Sequence, residues 1–250
     1  MCSELKRPLP GEDGRRRREY IHRSVMSLEP LCPSDQKING LIPGNKKTGI
    51  SGTAFSSIFV WNLPPFETCP GASEWCASNC YNLDNRTDVY PLEDWRINLW
   101  LFLNEEKRLQ EKIEEQLQEV EGSCAVRIHS SGDFFSERYI NFWERIISNF
   151  RHITFWSYTR SWAVDGLSNN IRRLSLLDNL NLFASYDLSM KITCSDYPKS
   201  LVFDTVDDIL HYQSSFGGVI CPEQFKRVRC CADCGLCMKK LNKDILFLLH

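Results

Sequence analysis

The sequence predicts an α/β protein, in which a partial (β/α) barrel of mainly parallel strands carries its helices outside and is followed by a C-terminal cysteine-rich metal module. Short apolar runs alternate with segments of helical period from residue 57 onward. Right-handed βαβ connections place such helices over the faces of a parallel sheet. We expect a basic, loosely ordered N-terminal arm at residues 1–50, the barrel at 51–215 and the module at 216–250.

The predicted strands are the short apolar runs. They fall at residues 58–61, 125–129, 153–158, 180–185, 201–203 and 219–220. A chain of 250 residues with 42% hydrophobic residues can bury a full-sized core around them.

The predicted helices follow from a period of three to four residues. Leu109, Ile113 and Leu117 recur at spacings of four and predict one long helix at about residues 92–120. Ser136 is a candidate N-cap for the next helix. A further helix is predicted at about residues 164–177.

Charge and hydropathy limit the partners. Lys plus Arg total 30 and Asp plus Glu total 32, so the formal charge of −2 gives no general attraction to nucleic acid or anionic lipid. No apolar run reaches the roughly 18 residues of a membrane span, and the N-terminus lacks a secretory apolar core. We expect a cytoplasmic protein. The run from Arg15 to Arg18 offers nucleic acid a phosphate contact, although a solvated charged tail is the favoured interpretation.

Cysteines supply the strongest chemical signal. The chain has 12 cysteines and no export signal, which favours metal binding over disulfides. Eight of them fall in two windows, the first in a loop at residues 69–80. The candidate metal ligands are Cys69, Cys76 and Cys80, then Cys221, Cys230, Cys231, Cys234 and Cys237.

The first window has the spacing C-x6-C-x3-C. Three thiolates on a four-iron cluster leave one iron without a protein ligand, whereas a closed structural zinc site needs four ligands. An iron–sulfur cluster with an open iron is the favoured prediction. Structural zinc with a recruited fourth ligand and simple buried thiols are the alternatives.

The second window contains Cys231, Cys234 and Cys237 in the spacing C-x2-C-x2-C. That spacing is typical of metal sites, with Cys221 or Cys230 as the fourth ligand. Zinc and an iron–sulfur cluster both accept ligation by cysteines alone, so the identity of the metal stays open.

Polar residues follow the predicted strands. Ser131, Gly132 and Asp133 come after the second strand, Thr159 and Arg160 follow the third, and Asp187 follows the fourth. Because parallel strands end at one edge of a sheet, we expect these residues to meet at one mouth. Arg160 either anchors a carboxylate there or pairs with Asp133 or Asp187.

Several ordered motifs resemble the phage-encoded gene product 88 family. They are the run from Cys69 to Ser73, the run Val126 to Phe134, Tyr158 to Ser161, and Cys221 with Pro222. The resemblance covers about residues 45–240 and implies a phage protein that acts in the host cytoplasm.

The pattern is also similar, more distantly, to radical S-adenosylmethionine (SAM) enzymes, whose partial barrel carries three cluster cysteines after its first strand. The resemblance implies a [4Fe–4S] cluster that reduces SAM to give a carbon radical, a second cluster at the C-terminal cysteines and a protein electron donor. The usual spacing there is C-x3-C-x2-C, from which this chain departs. By position, the cofactor pocket would contain Ser131, Gly132, Asp133, Thr159, Ser185 and Asp187, with Asp133 and Arg160 as catalytic residues.

Three functions follow from these observations. The first is a radical SAM-like iron–sulfur enzyme, whose substrate the sequence does not reveal. The second is a zinc-stabilised protein that binds nucleic acid or another protein. The third is a non-catalytic iron–sulfur electron carrier.

Overall fold

The computed structural model describes residue 38 and residues 40–80, 82, 92–191, 197–240 and 242–249. Over these residues the chain forms eight strands and seven α-helices. The predicted α/β class is therefore confirmed. The arginine run from Arg15 to Arg18 and most of the expected N-terminal arm lie outside the described residues.

The strands coincide with the predicted apolar runs, with two additions, β1 and β8. They are β1 (Ile42–Pro43), β2 (Ser57–Trp61), β3 (Cys124–Ile128), β4 (Thr154–Thr159), β5 (Leu180–Tyr186), β6 (Lys199–Phe203), β7 (Val219–Ile220) and β8 (Ile245–Leu248). The helices are α1 (Glu74–Ser78), α2 (Leu92–Asn104), α3 (Glu106–Gln118), α4 (Glu137–Asn149), α5 (Ser168–Ser175), α6 (Val206–Phe216) and α7 (Cys231–Cys234).

All eight strands belong to one sheet in the order β1-β2-β3-β4-β5-β6-β8-β7. Strand β1 is antiparallel to β2, and every other pairing is parallel. Strands β1 and β7 lie at opposite edges, so the described strands form an open sheet. A barrel-like curvature stays a prediction.

The predicted long helix at residues 92–120 is wrong in one respect, since the structure divides it into α2 and α3. The break is at Glu105, whose φ of −134° and ψ of 42° are not helical. This change of direction lets Phe102 of α2 and Leu109 and Ile113 of α3 all become fully buried. The apolar period continued across the break, which is why the sequence did not reveal it.

One face of the sheet packs against the helices. Trp61, Val126 and Phe155 point to this side and join the largest core cluster with Trp143 and Ile146 of α4. Helix α4 begins where the sequence predicted, because Ser136 accepts a hydrogen bond from the backbone N–H of Tyr139 at 3.2 Å.

The other face is covered by the cysteine-rich segment that connects β7 to β8. Ile58, Ala125 and Trp156 of β2, β3 and β4 pack there against Ala232 and Met238. Alternate residues of a strand point to opposite faces, which is how one strand serves both layers. The expected C-terminal module thus lies on the main sheet and contributes two of its strands, β7 and β8.

None of the described helices is long and apolar enough to cross a membrane.

Candidate functional site

A cavity of about 310 Å³ lies where the parallel strands end, and both groups of cysteines line it. The cysteines on its wall are Cys69, Cys76, Cys80, Cys221, Cys231 and Cys237. The strand ends contribute Ser131, Gly132, Asp133, Arg160 and Ser185. The two cysteine windows are about 140 residues apart in the chain, yet the fold brings them to one space.

The first cysteine group lies in a compact loop after β2. Cys69 begins a turn in which the N–H of Ala72 donates to its carbonyl at 3.1 Å. Ser73 then caps α1 by accepting a hydrogen bond from the N–H of Cys76 at 3.0 Å. A Cβ at Gly71 would stand 2.5 Å from the carbonyl oxygen of Arg160, so only glycine allows the loop to approach β4 this closely.

Asp133 connects this loop to the end of β4. Its carboxylate accepts hydrogen bonds from the Thr159 hydroxyl at 2.6 Å, the Arg160 N–H at 2.8 Å and the Phe134 N–H at 2.7 Å. Its own N–H donates to the carbonyl of Thr68 at 2.9 Å. Burial raises the pKa of Asp133, and the hydrogen bonds oppose that rise. The carboxylate is fully engaged in holding the site together.

Arg160 pairs with Asp187, one of the two carboxylates that the sequence offered as partners. Nη1 of Arg160 lies 2.7 Å from Oδ2 of Asp187. The same carboxylate accepts hydrogen bonds from the hydroxyls of Ser73 and Ser189. Burial alone would raise the pKa of Asp187, but the bonds from Ser189 and Ser73 and the charge of Arg160 bring it below its ordinary value.

Arg160 also reaches the first cysteine group. Burial raises the pKa of the Cys76 thiol, and the charge and hydrogen bond of Arg160 oppose that rise. The pair of Arg160 with Asp187 therefore ties the cysteine loop to the ends of β4 and β5. The catalytic role predicted for Arg160 and Asp133 stays a prediction.

The second cysteine group surrounds a smaller cavity of about 20 Å³. Cys221, Cys231, Cys234 and Cys237 line it. Cys230 does not line this cavity, and a Cβ at Gly49 would stand 2.5 Å from its sulfur. The structure thus places Cys221 beside the C-x2-C-x2-C run.

Several of these thiols, among them Cys69, Cys231 and Cys237, are buried strongly enough to resist ionisation. Burial raises the pKa of Cys69, brings that of Cys231 to about 11 and brings that of Cys237 to about 12. A thiolate in such surroundings needs a nearby positive charge. The guanidinium of Arg127 supplies part of that positive charge for Cys231, because it opposes the rise in pKa that burial causes.

The spacing of the possible ligands argues against a preformed site for a single ion. Among the residues that the structure describes, no three His, Cys, Asp or Glu side chains are grouped so that they could hold one metal ion.

Arg127, which the sequence analysis overlooked, lines the same cavity as His129 and Ser131. These residues alternate along the end of β3, and that spacing of two was the signal that could have revealed Arg127. His129 has a positive φ of 69° and packs edge-on against Phe134. Burial, together with the charge of Arg127, lowers the pKa of His129 to about 3, so its ring is neutral.

A model of the gene product 88 family matches residues 35–240, more than four fifths of the chain. The chain belongs to this family. It is 28% identical over 244 residues to the Gene 88 protein of Mycobacterium phage L5, an alignment that covers 86% of this chain and 95% of the relative. The Gene 88 protein of Mycobacterium phage D29 is also 28% identical, over 243 residues. No solved structure matches the chain.

Proposed function

We propose that this gene product 88 protein is an iron–sulfur enzyme of the radical SAM-like type. One observation carries the proposal: a loop with three cysteines and a second group of cysteines line one cavity together with polar strand ends. A cavity of about 310 Å³ is at the lower end of the range for small-molecule sites.

The strand order supports the same proposal. Strands β2 to β6 are parallel and neighbour one another in chain order. The three-cysteine loop follows β2, the first parallel strand, as it does in the superfamily that the sequence resembles. Function in parallel sheets gathers at the carboxyl ends of the strands, and Cys69 to Cys80 lie at that edge.

The cysteines fit a cluster better than a single ion. Around one zinc ion, with Zn–S bonds of about 2.3 Å, neighbouring sulfurs would be roughly 3.8 Å apart. In a cluster each cysteine binds a different iron, so the sulfurs spread more widely. Among the described side chains no group is tight enough for one ion.

Cys69, Cys76 and Cys80 would hold a [4Fe–4S] cluster with one open iron, and Cys221, Cys231, Cys234 and Cys237 would hold a second. Reduced by one electron from a donor protein, the open cluster would supply the electron that breaks a carbon–sulfur bond of SAM, giving methionine and a 5′-deoxyadenosyl radical. The chain itself would place and enclose the reactants.

Some residues around the cavity would hold its parts in place, and others would contact SAM. The network of Ser73, Asp187 and Arg160 would fix the cysteine loop, and Asp133 with Thr159 would fix the end of β4 against it. The residues that would face SAM are Gly132 and Ser185, which line the cavity.

Two other functions remain as rivals. A zinc-stabilised binding protein would contain about two zinc ions and no iron. An electron carrier would contain iron and sulfide but would not respond to SAM. The cavity beside the clusters counts against the carrier, because electron transfer alone needs no space for a substrate.

The test is anaerobic purification followed by analysis of iron, sulfide and zinc, with absorption and electron spin resonance spectra recorded with and without SAM. We expect about eight irons per chain, from two four-iron clusters, and a resonance signal that SAM alters. Cys76→Ser should remove about four irons, whereas Cys124→Ser, in a buried strand away from the cavity, should keep them all. Colourless protein with zinc would overturn the proposal, and a SAM-insensitive cluster would reduce it to an electron carrier.

A further inference from the structure

Arg127 is an unpaired cation on the wall of the cavity. No hydrogen bond or ion pair joins its guanidinium to any residue that the structure describes, and its Nε is buried without a partner. Its contact is with a ring, since the guanidinium carbon lies 5.7 Å from the centroid of Tyr158. The other cations that line the cavity are paired, Arg160 with Asp187 and Lys47 with Glu223.

His129 adds a hydrogen-bond donor, the N–H at Nδ1 of its ring. Trp61 Nε1, which can only donate, lies 2.8 Å from the Tyr139 hydroxyl, and that hydroxyl lies 2.9 Å from Nε2 of His129. The Tyr139 oxygen accepts from Trp61, and among the described residues Nε2 of His129 is the acceptor within reach of the Tyr139 proton, so donating that proton to Nε2 satisfies all three groups. The neutral ring therefore carries its own proton on Nδ1.

That Nδ1–H has no partner among the described residues, although His129 is 3% exposed. The hydroxyl of Ser131, also 3% exposed, is likewise without a partner. Buried donors without acceptors are costly, and native proteins satisfy nearly all of them. Three such groups, one in β3 and two in the turn that follows it, indicate a ligand that accepts hydrogen bonds.

Arg127, His129 and Ser131 lie between the two cysteine groups. Arg127 is close enough to Cys231 for its charge to act on that thiol. Ser131 lies at the other end, where its carbonyl accepts from the N–H of Leu63, at the start of the first cysteine loop. Four residues of extended chain span at most about 13 Å, which is the length of a small organic molecule.

The geometry points to an anion-binding subsite made by Arg127, His129 and Ser131, which takes the carboxylate or phosphate group of the substrate. This subsite adds to the proposed function the class of substrate, a molecule with a carboxylate or phosphate group. The inference rests on the proposed function only for the reaction that follows binding. Charge-assisted bonds from a guanidinium suit a planar or tetrahedral oxyanion. The acidic group on the wall, Asp133, is already engaged with Thr159 and backbone N–H groups.

The test is calorimetric titration of the purified protein with malonate, inorganic phosphate and malonamide, an uncharged analogue of malonate. We expect saturable binding of at least one anion and no binding of malonamide. Arg127→Met should weaken anion binding at least about tenfold, and Ser131→Ala should weaken it by a smaller factor. Arg151→Met, on the exposed surface, is the matched control and should bind as the parent does.

Three outcomes would overturn the inference: neither anion binds, Arg127→Met binds as tightly as the parent, or SAM competes with the bound anion, which would assign the subsite to SAM. Arg127→Lys, which keeps the charge, covers the case in which Arg127→Met does not fold, and it should retain part of the binding. Metal analysis is independent of this test. Anion binding by a zinc protein would leave the subsite standing while the proposed function fails.

Discussion

Replacing Asp187 with asparagine removes the charge opposite Arg160 while keeping the shape of the side chain. The Asp187 side chain is 0% exposed and that of Arg160 is 13% exposed, with 2.7 Å between Nη1 and Oδ2. Asparagine can still accept the hydrogen bonds from Ser73 or Ser189 through its amide oxygen. The substitution therefore removes the buried charge together with one of the two acceptor oxygens, and keeps the size of the side chain.

The expected cost is that of leaving one buried charge without its partner, about 3–5 kcal/mol. For a chain of this size each kcal/mol lowers the Tm by about 2–4 °C, so Asp187→Asn should lower it by at least about 6 °C. Glu144→Gln is the control, because Arg173 and Glu144 form a more exposed pair at 47% and 27% exposure. Such a pair contributes about 0.2–1 kcal/mol, so the control should lose no more than about 4 °C.

The difference between the parent and Asp187→Asn should depend on pH. The pKa of Asp187 lies below its ordinary value of 3.8 in the folded protein. The stabilisation is therefore complete above pH 3.8 and is lost as the pH falls through the lower, folded pKa. The gap in Tm should be constant from pH 7 to about pH 5 and should close in more acidic solution.

Thermal unfolding followed by circular dichroism measures both effects. A loss of less than about 2 °C for Asp187→Asn at pH 7, or a gap that widens in acid, would refute the reasoning. The double variant Arg160→Met with Asp187→Asn adds a check, since removing both charges should cost less than the sum of the single losses.

Three further substitutions test the fold, each by thermal unfolding. Ser136→Ala removes the N-cap of α4 and should cost about 1 kcal/mol, or about 2–4 °C; an unchanged Tm would show that the cap is replaceable. Phe142→Ala empties a fully buried position and should cost about 3–5 kcal/mol, so a fall of less than about 4 °C would contradict the packing. Gly132→Ala places a Cβ 2.7 Å from that of Leu63 at a φ of +81°, and should cost more than about 1 kcal/mol; a stabilised variant would show that this backbone is not required.

The sequence was informative where one local signal dominates. Apolar runs located six strands, and Ser136 located the start of α4, because burial and capping act over a few residues. Strand β8 escaped notice. Ile245–Leu248 follows the cysteine-rich segment, and its place between β6 and β7 depends on partners far away in the chain.

The site required the folded chain for a similar reason. Spacing alone could not choose between Cys221 and Cys230, and in the structure Cys221 lines the cavity of the second cysteine group whereas Cys230 does not. The spacing of the cysteines also could not show that both cysteine windows line one cavity. The pairing of Arg160 with Asp187 depends on β4 and β5 being neighbours, which is a property of the sheet.

The placement of β8 has a consequence for the order of assembly. Among the described strands β7 pairs with β8 alone, while β8 also pairs with β6. The ribosome makes β7 (Val219–Ile220) before β8 (Ile245–Leu248). Strand β7 therefore has no strand to pair with until β8 has been made. The edge that carries Cys221 therefore cannot be completed before β8 has been made, and the cavity that Cys221 lines needs both ends of the cysteine-rich connection in place.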